Sequence, residues 1–204
     1  NLYVAIGNAN QLIESATAIV SSNAAIKQTA LGEGYFMRAY NYLKLVRQYG
    51  GVPLKLKTST TVELEYTRAT AQEVLNQVIA DFTQAQTLLT NTGGPAKITK
   101  DAASHYLAKA YLTRASEIND SWNSATKAAD LQQVVTLAND VISRHPLAAN
   151  YANLWAYSVV DGANEKLPEL ILSAQFNTST LTTGGNQQHL YFLSTYDQMP
   201  QMKR

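Results

Sequence analysis

Apolar positions recur at intervals of three and four over most of the first two-thirds of the chain. Leu2, Ala5, Ile6, Ala9, Ile13 and Ala16 form the first series and predict an amphipathic helix, ended by Ser21, Ser22 and Asn23. Phe36, Ala39, Tyr40, Leu43 and Val46 or Arg47 form the second, which stops at Gly50-Gly51 with Pro53 beyond. Glycine closes a helix, and proline cannot continue one. Val52 to Lys57 then alternates apolar and polar, like a short strand or an extended arm, and Pro53 argues against a central strand. A third helix opens at Thr70-Ala71-Gln72-Glu73, the spacing of a capping box, and carries Leu75, Val78, Ile79, Phe82, Ala85 and Leu89. Thr99 caps a fourth, with Asp101 suited to its N-terminal dipole and Ala103, Leu107, Ala110, Tyr111 and Arg114 on one face. A polar loop at 119–124 holds Trp122. The fifth helix carries Leu131, Val134, Val135, Ala138, Val141 and Ile142 as far as Pro146.

Beyond Pro146 the helical period is lost. Leu170-Ile171-Leu172 suits a short buried strand, 177–185 is a Thr/Gly-rich loop, and His189 to Leu193 reads equally as strand or helix. The pattern predicts a mostly α fold of tetratricopeptide-like antiparallel helical hairpins, with irregular loops and a short strand after about residue 165. Two units can be traced, roughly 30–90 and 99–146, although a strict repeat of about 34 residues is missing. Residues 1–150 are then a helical scaffold, and 151–204 begin an irregular region. Phe36, Tyr40, Leu43, Val78, Phe82, Leu107 and Val141 are the expected core.

Composition narrows the function classes. Hydrophobic residues make up 46% of the 204, which excludes a disordered chain. Sixteen Lys+Arg against 15 Asp+Glu leave no electrostatic footprint for nucleic acid or an anionic membrane. Cysteine is absent, and with it disulfides and thiolate metal sites. No apolar run approaches the roughly 20 residues that a membrane-spanning helix needs.

Catalytic motifs are not found. His105, His145 and His189 are scattered without metal-ligand spacing, and Gly32-Glu33-Gly34 lacks the preceding strand and third glycine of a dinucleotide loop. Glu63 and Glu65, and Asp161, Glu165 and Glu169, read as solvated loop carboxylates rather than an acid–base pair. The expectation is a binding protein with no cofactor, not an enzyme. Helical aromatics are expected in the core. Contact candidates therefore fall outside it: Asn186, His189, Tyr191 and Tyr196, which follow the Thr/Gly loop, and Trp122 as an outlying aromatic. Planar rings beside amide and imidazole groups suit a sugar.

Gly34-Tyr35-Phe36-Met37-Arg38-Ala39-Tyr40-Asn41-Tyr42-Leu43, followed by Leu45 through Tyr49-Gly50-Gly51-Val52-Pro53-Leu54, closely resembles the signature helix of the RagB/SusD family. The resemblance continues through Arg68-Ala69-Thr70, Asp81-Phe82, Thr99 to Ala103, Leu107 to Leu112, Tyr151, Leu154-Trp155 and Glu169 to Leu172. It implies a non-catalytic, surface-exposed outer-membrane lipoprotein that acts with a SusC-like TonB-dependent transporter. Such proteins capture an oligosaccharide or polysaccharide, or sometimes a peptide. The lipid-bearing N-terminal Cys and signal peptide of that family are missing here, and both ends look cut, so a piece of a longer protein is expected. The competing reading is a soluble tetratricopeptide scaffold that binds a protein or peptide in its groove. That reading calls for a basic or asparagine-rich carboxylate clamp along one helical face, and none is evident along the chain.

Overall fold

A computed structural model of the chain describes residues 2–20, 23–59, 61, 65–155 and 166–174. The described residues form five α-helices: α1 (Leu2–Ala18), α2 (Ala24–Tyr49), α3 (Ala71–Leu88), α4 (Lys100–Arg114) and α5 (Lys127–Ile142). Short 3-10 turns occur at Gly94–Ala96, Glu117–Asn119 and Tyr151–Trp155. No described helix is long and apolar enough to cross a membrane.

The helix ends follow the local chemistry of the sequence. Asn23 accepts the Ile26 N–H at 3.2 Å at the head of α2. At α3 the capping box is complete: Thr70 Oγ1 accepts the Glu73 N–H at 3.2 Å, and Glu73 Oε2 accepts the Thr70 N–H at 2.7 Å. At the head of α4 the Thr99 hydroxyl accepts the Ala102 N–H at 3.2 Å. At the far end of α2, Gly50 takes a φ of 67°, a left-handed value that costs glycine nothing, and its N–H donates to Val46 C=O.

Each helix packs mainly on its sequence neighbours, α1 on α2, α2 on α3, α3 on α4 and α4 on α5, with a lighter α2–α4 contact across the stack. Phe36 of α2 meets Phe82 of α3 edge-on at 5.5 Å and Tyr106 of α4 at the same separation. Phe36, Leu43, Val78, Phe82, Leu107 and Val141 are buried as their spacing predicts. Tyr40 is only half-buried, because its ring lies at the α2–α4 groove rather than inside it.

Ion pairs join the helices, and the Arg38 pair is buried on both sides. Arg38 of α2 grips Asp81 of α3 through two N–H donors at 2.7 and 2.8 Å, with side-chain exposures of 7% and 3%. Arg114 of α4 does the same to Asp130 of α5, and Arg144 returns to Asp101 at the head of α4. Burial opposes the Arg38 charge, yet the Asp81 carboxylate more than offsets it and the guanidinium pKa moves up.

One expected element is not there. Leu170–Leu172 is not a strand: the run lies half-buried, with Ile171 and Leu172 against the core, and the following Ser173 N–H donates to Pro95 C=O at 2.8 Å. A short apolar run becomes a strand only beside another strand, and no strand occurs among the described residues.

Candidate ligand-binding cleft

The chain leaves α2 at Gly50 and the next described helix begins at Ala71, yet the two ends of this connection meet. Ala69 N–H donates to Val52 C=O at 3.0 Å, and a Cβ on Gly51 would collide with the Ala69 carbonyl, so only glycine allows that approach. Between these points the arm at 52–58 runs out along α1. Tyr3 Oη donates to Pro53 C=O at 2.9 Å, Asn10 Nδ2 donates to Lys55 and Lys57 C=O at 3.1 and 3.2 Å, and Thr58 N–H donates to Glu14 at 2.9 Å. The spacing has a geometric reason. From Tyr3 to Glu14 a helix rises about 16.5 Å at 1.5 Å per residue, and from Pro53 to Thr58 an extended chain covers about the same distance. Helix and arm therefore stay in step over the whole contact.

Buried side chains of α2 fix the arm from beneath. Tyr42 Oη donates to Lys55 C=O at 2.9 Å and accepts the Lys55 N–H at 2.5 Å, so one hydroxyl satisfies both backbone groups of one residue. Burial pushes the Tyr42 phenol up to about 12, so it remains the neutral donor this arrangement needs. Arg38 Nη1 donates to Asn10 Oδ1 at 3.0 Å and to Leu56 C=O at 3.1 Å. The Arg38 of the signature block is thus a junction between α1, α2, α3 and the arm.

This packing leaves a cleft of about 500 Å³ between α1 and the arm. Tyr3, Asn8, Gln11, Lys55, Ser59 and Tyr66 line it. Lys55 Nζ donates to Ser59 Oγ at 2.6 Å and to Tyr66 Oη at 2.7 Å, and it lies 4.2 Å from the Tyr66 ring centroid. The Tyr66 ring is 47% exposed and Asn8 and Gln11 are exposed beside it. An open aromatic face next to amides, hydroxyls and the ammonium groups of Lys55 and Lys57 is chemistry for a polyhydroxylated ligand, and no carboxylate lines the cleft among the described residues.

Asn186, His189, Tyr191 and Tyr196 lie outside the described residues, as do Glu63, Asp161 and Glu165. Trp122 belongs to a different concavity, half-buried against the core beside Ile118. Glu169 accepts the Ala148 N–H at 2.8 Å and so holds a loop. His145 bridges Pro168 C=O and Asp101. Among the described residues no group of three acidic or imidazole side chains is placed to hold a metal. The cleft residues were missed by reading the chain alone, although one signal was present. Tyr3 and Asn10 are two turns apart and share the buried stripe of Ile6 and Ile13, where a polar side chain needs a partner.

Residues 1–112 match a SusD-like protein family described as starch-binding and associating with the outer membrane. The chain belongs to that SusD-like family. SusD-like protein P2 of Formosa agariphila is 31% identical over 87% of this chain, which covers 34% of that protein's length. A SusD superfamily crystal structure from Bacteroides fragilis superposes with a TM-score of 0.73 at 25% identity, over 87% of this chain and 36% of the other. Another crystal structure, solved with a xylogluco-oligosaccharide, gives 0.72 at 26% identity over 86% and 34%. The SusD-like chain thus spans about a third of the length of the relatives it matches.

Proposed function

We propose that this SusD-like chain is part of a non-catalytic glycan-binding protein of an outer-membrane nutrient-uptake complex. In this reading residues 1–150 are a tetratricopeptide-like scaffold and 151–204 open an irregular ligand-binding region. The protein is lipid-anchored at the cell surface and acts with a SusC-like TonB-dependent transporter, as the family resemblance implies. The observation that carries the glycan reading is the α1–arm cleft: an exposed Tyr66 ring set beside Gln11, Asn8 and Ser59, with no carboxylate in its lining among the described residues. A relative solved with a xylogluco-oligosaccharide supports the same ligand class.

A sugar stacks its C–H face on Tyr66 and exchanges water for the amide and hydroxyl groups around it. Asn186, His189, Tyr191 and Tyr196 extend that grip from the following region, and Trp122 offers an outlying ring. Stacking on one ring contributes about 1 kcal/mol, so removing it weakens binding by about fivefold. Calorimetric titration of neutral oligosaccharides, xyloglucan fragments included, tests the reading. Tyr66→Ala and the Tyr191→Ala/Tyr196→Ala pair are each expected to weaken a binding glycan. Unchanged affinity in folded Tyr66→Ala protein removes the cleft from the site, and product release from any glycan overturns the non-catalytic assignment.

A further inference from the structure

The α2–α4 groove carries a set of cations that the rest of the fold does not use. Arg38, Arg114 and Arg144 each hold a carboxylate, and Arg68 donates to the Tyr49 and Gly51 carbonyls. The Arg47 side chain, among the described residues, has no ion pair and no hydrogen bond. One turn away on α2, Lys44 lies 4.6 Å from the Tyr40 ring centroid, and across the groove on α4, Lys109 lies 5.7 Å from that of Tyr106. All three cations are exposed. They border two adjoining concavities, a recess of about 110 Å³ between Tyr40 and Tyr106 and a trough of about 680 Å³, which share Arg47 and Lys109. Among the described residues no carboxylate lines either one. Along the trough, beyond the cations, lie Leu112 (52% exposed), Ile118 (86% exposed) and the half-buried Trp122.

We propose that this trough docks an acidic segment of a partner protein, a peptide stretch in which carboxylate and apolar side chains alternate. The charge identifies the carboxylates: three neighbouring cations without an anion repel one another, and a docked acid relieves that repulsion while gaining charge-assisted hydrogen bonds. The Leu112–Ile118–Trp122 shelf identifies the apolar half. A neutral sugar leaves the cations unanswered, and a free inorganic anion leaves the apolar shelf in water. An extended or helical peptide covers both. Reading along the chain misses the feature because Lys44 and Arg47 sit on one helix and Lys109 on another, and folding brings them to one groove. The trough shares no lining residue with the α1–arm cleft, so either site can fail without the other.

Fluorescence anisotropy with a short fluorescein-labelled peptide alternating glutamate and leucine tests the proposal on the whole chain, beside a lysine–leucine peptide of equal length. The acidic peptide is expected to bind with an affinity that falls as salt rises, and the basic one is expected not to bind. Arg47→Glu with Lys109→Glu is expected to weaken the acidic peptide by at least about tenfold, since a hydrogen bond to a charged group is worth roughly that factor. Both side chains are exposed, so folding is preserved; circular dichroism checks this, and Arg47→Gln with Lys109→Gln stands in should the reversal unfold the chain. Equal binding of the two peptides, no binding of the acidic one, or unchanged affinity in the folded variants overturns the proposal. So does equal competition by a glutamate-only peptide, because the apolar shelf then contributes nothing.

Discussion

Removing the Arg38 guanidinium tests how the arm is held against the helices. Arg38→Met keeps most of the aliphatic volume while deleting four hydrogen bonds: two to Asp81, one to Asn10 and one to the Leu56 carbonyl. Asp81 is then a buried carboxylate at 3% side-chain exposure, with Gln77 Nε2 at 2.8 Å as its remaining donor. Breaking a buried pair from one side costs about 3–5 kcal/mol, because the stranded charge has lost its solvent as well as its partner. That is a large fraction of the roughly 5–15 kcal/mol by which a domain is stable. Arg38→Met with Asp81→Leu removes both charges. What remains is the cost of leaving Asn10 Oδ1, the Leu56 carbonyl and the half-buried Gln77 amide without these partners, about 1–3 kcal/mol each at most. The double variant is therefore expected to be more stable than the single one, a result that simple loss of contacts does not produce.

Urea melts of the three proteins give the ordering, and amide exchange locates the damage. In Arg38→Met the Lys55 amide, which donates to Tyr42, is expected to exchange faster than amides in the middle of α4. A loss below about 1 kcal/mol in the single variant, or a double variant no better than the single, refutes the view that stranded charge dominates.

Phe82→Ala is expected to destabilise by about 3–5 kcal/mol in a denaturant melt, since the ring is fully buried against Phe36 and Tyr106. Tyr42→Phe leaves both backbone groups of Lys55 without their hydroxyl partner, and a loss of about 1–3 kcal/mol should appear by the same method. Burial raises the pKa of Asp101, but hydrogen bonds from Arg144 and His145 outweigh it and hold the carboxyl below its ordinary value. Its stabilising contribution is thus complete above the unfolded-state pKa of about 3.9 and is lost as pH falls through the lower folded value. Acid titration of Asp101→Asn should show a correspondingly shallower loss of stability below about pH 4, and an unchanged acid limb contradicts the assignment.

Local signals in the sequence carried most of the helical fold. The capping box at Thr70 and Glu73, the stop at Gly50-Gly51 and the Thr99 cap are each decided within a few residues, and those helix ends lie where the chemistry puts them. Leu170–Leu172 failed for the opposite reason: a strand is a property of two segments, and apolar content alone cannot supply the second. Trp122 looked unsupported in a polar loop, yet its ring packs on the core from which that loop departs. The cleft depends on register between α1 and an arm some fifty residues away, set by Tyr3, Asn10 and Tyr42 reaching backbone carbonyls. Side-chain-to-backbone bonds of that range leave little trace in spacing. The cationic groove is hidden in the same way, since its members lie on two helices.

In the proposed function the SusD-like chain holds a glycan in the cleft between α1 and the arm. Nuclear magnetic resonance mapping with a xyloglucan oligosaccharide tests it most directly, because each backbone amide reports on its own surroundings. Saturable shift changes are predicted for Gln11, Lys55, Ser59 and the residues flanking Tyr66, with Lys44, Arg47 and Lys109 unmoved. Saturable binding whose shifts leave α1 and the arm untouched, or fall on the α2–α4 groove, contradicts the claim.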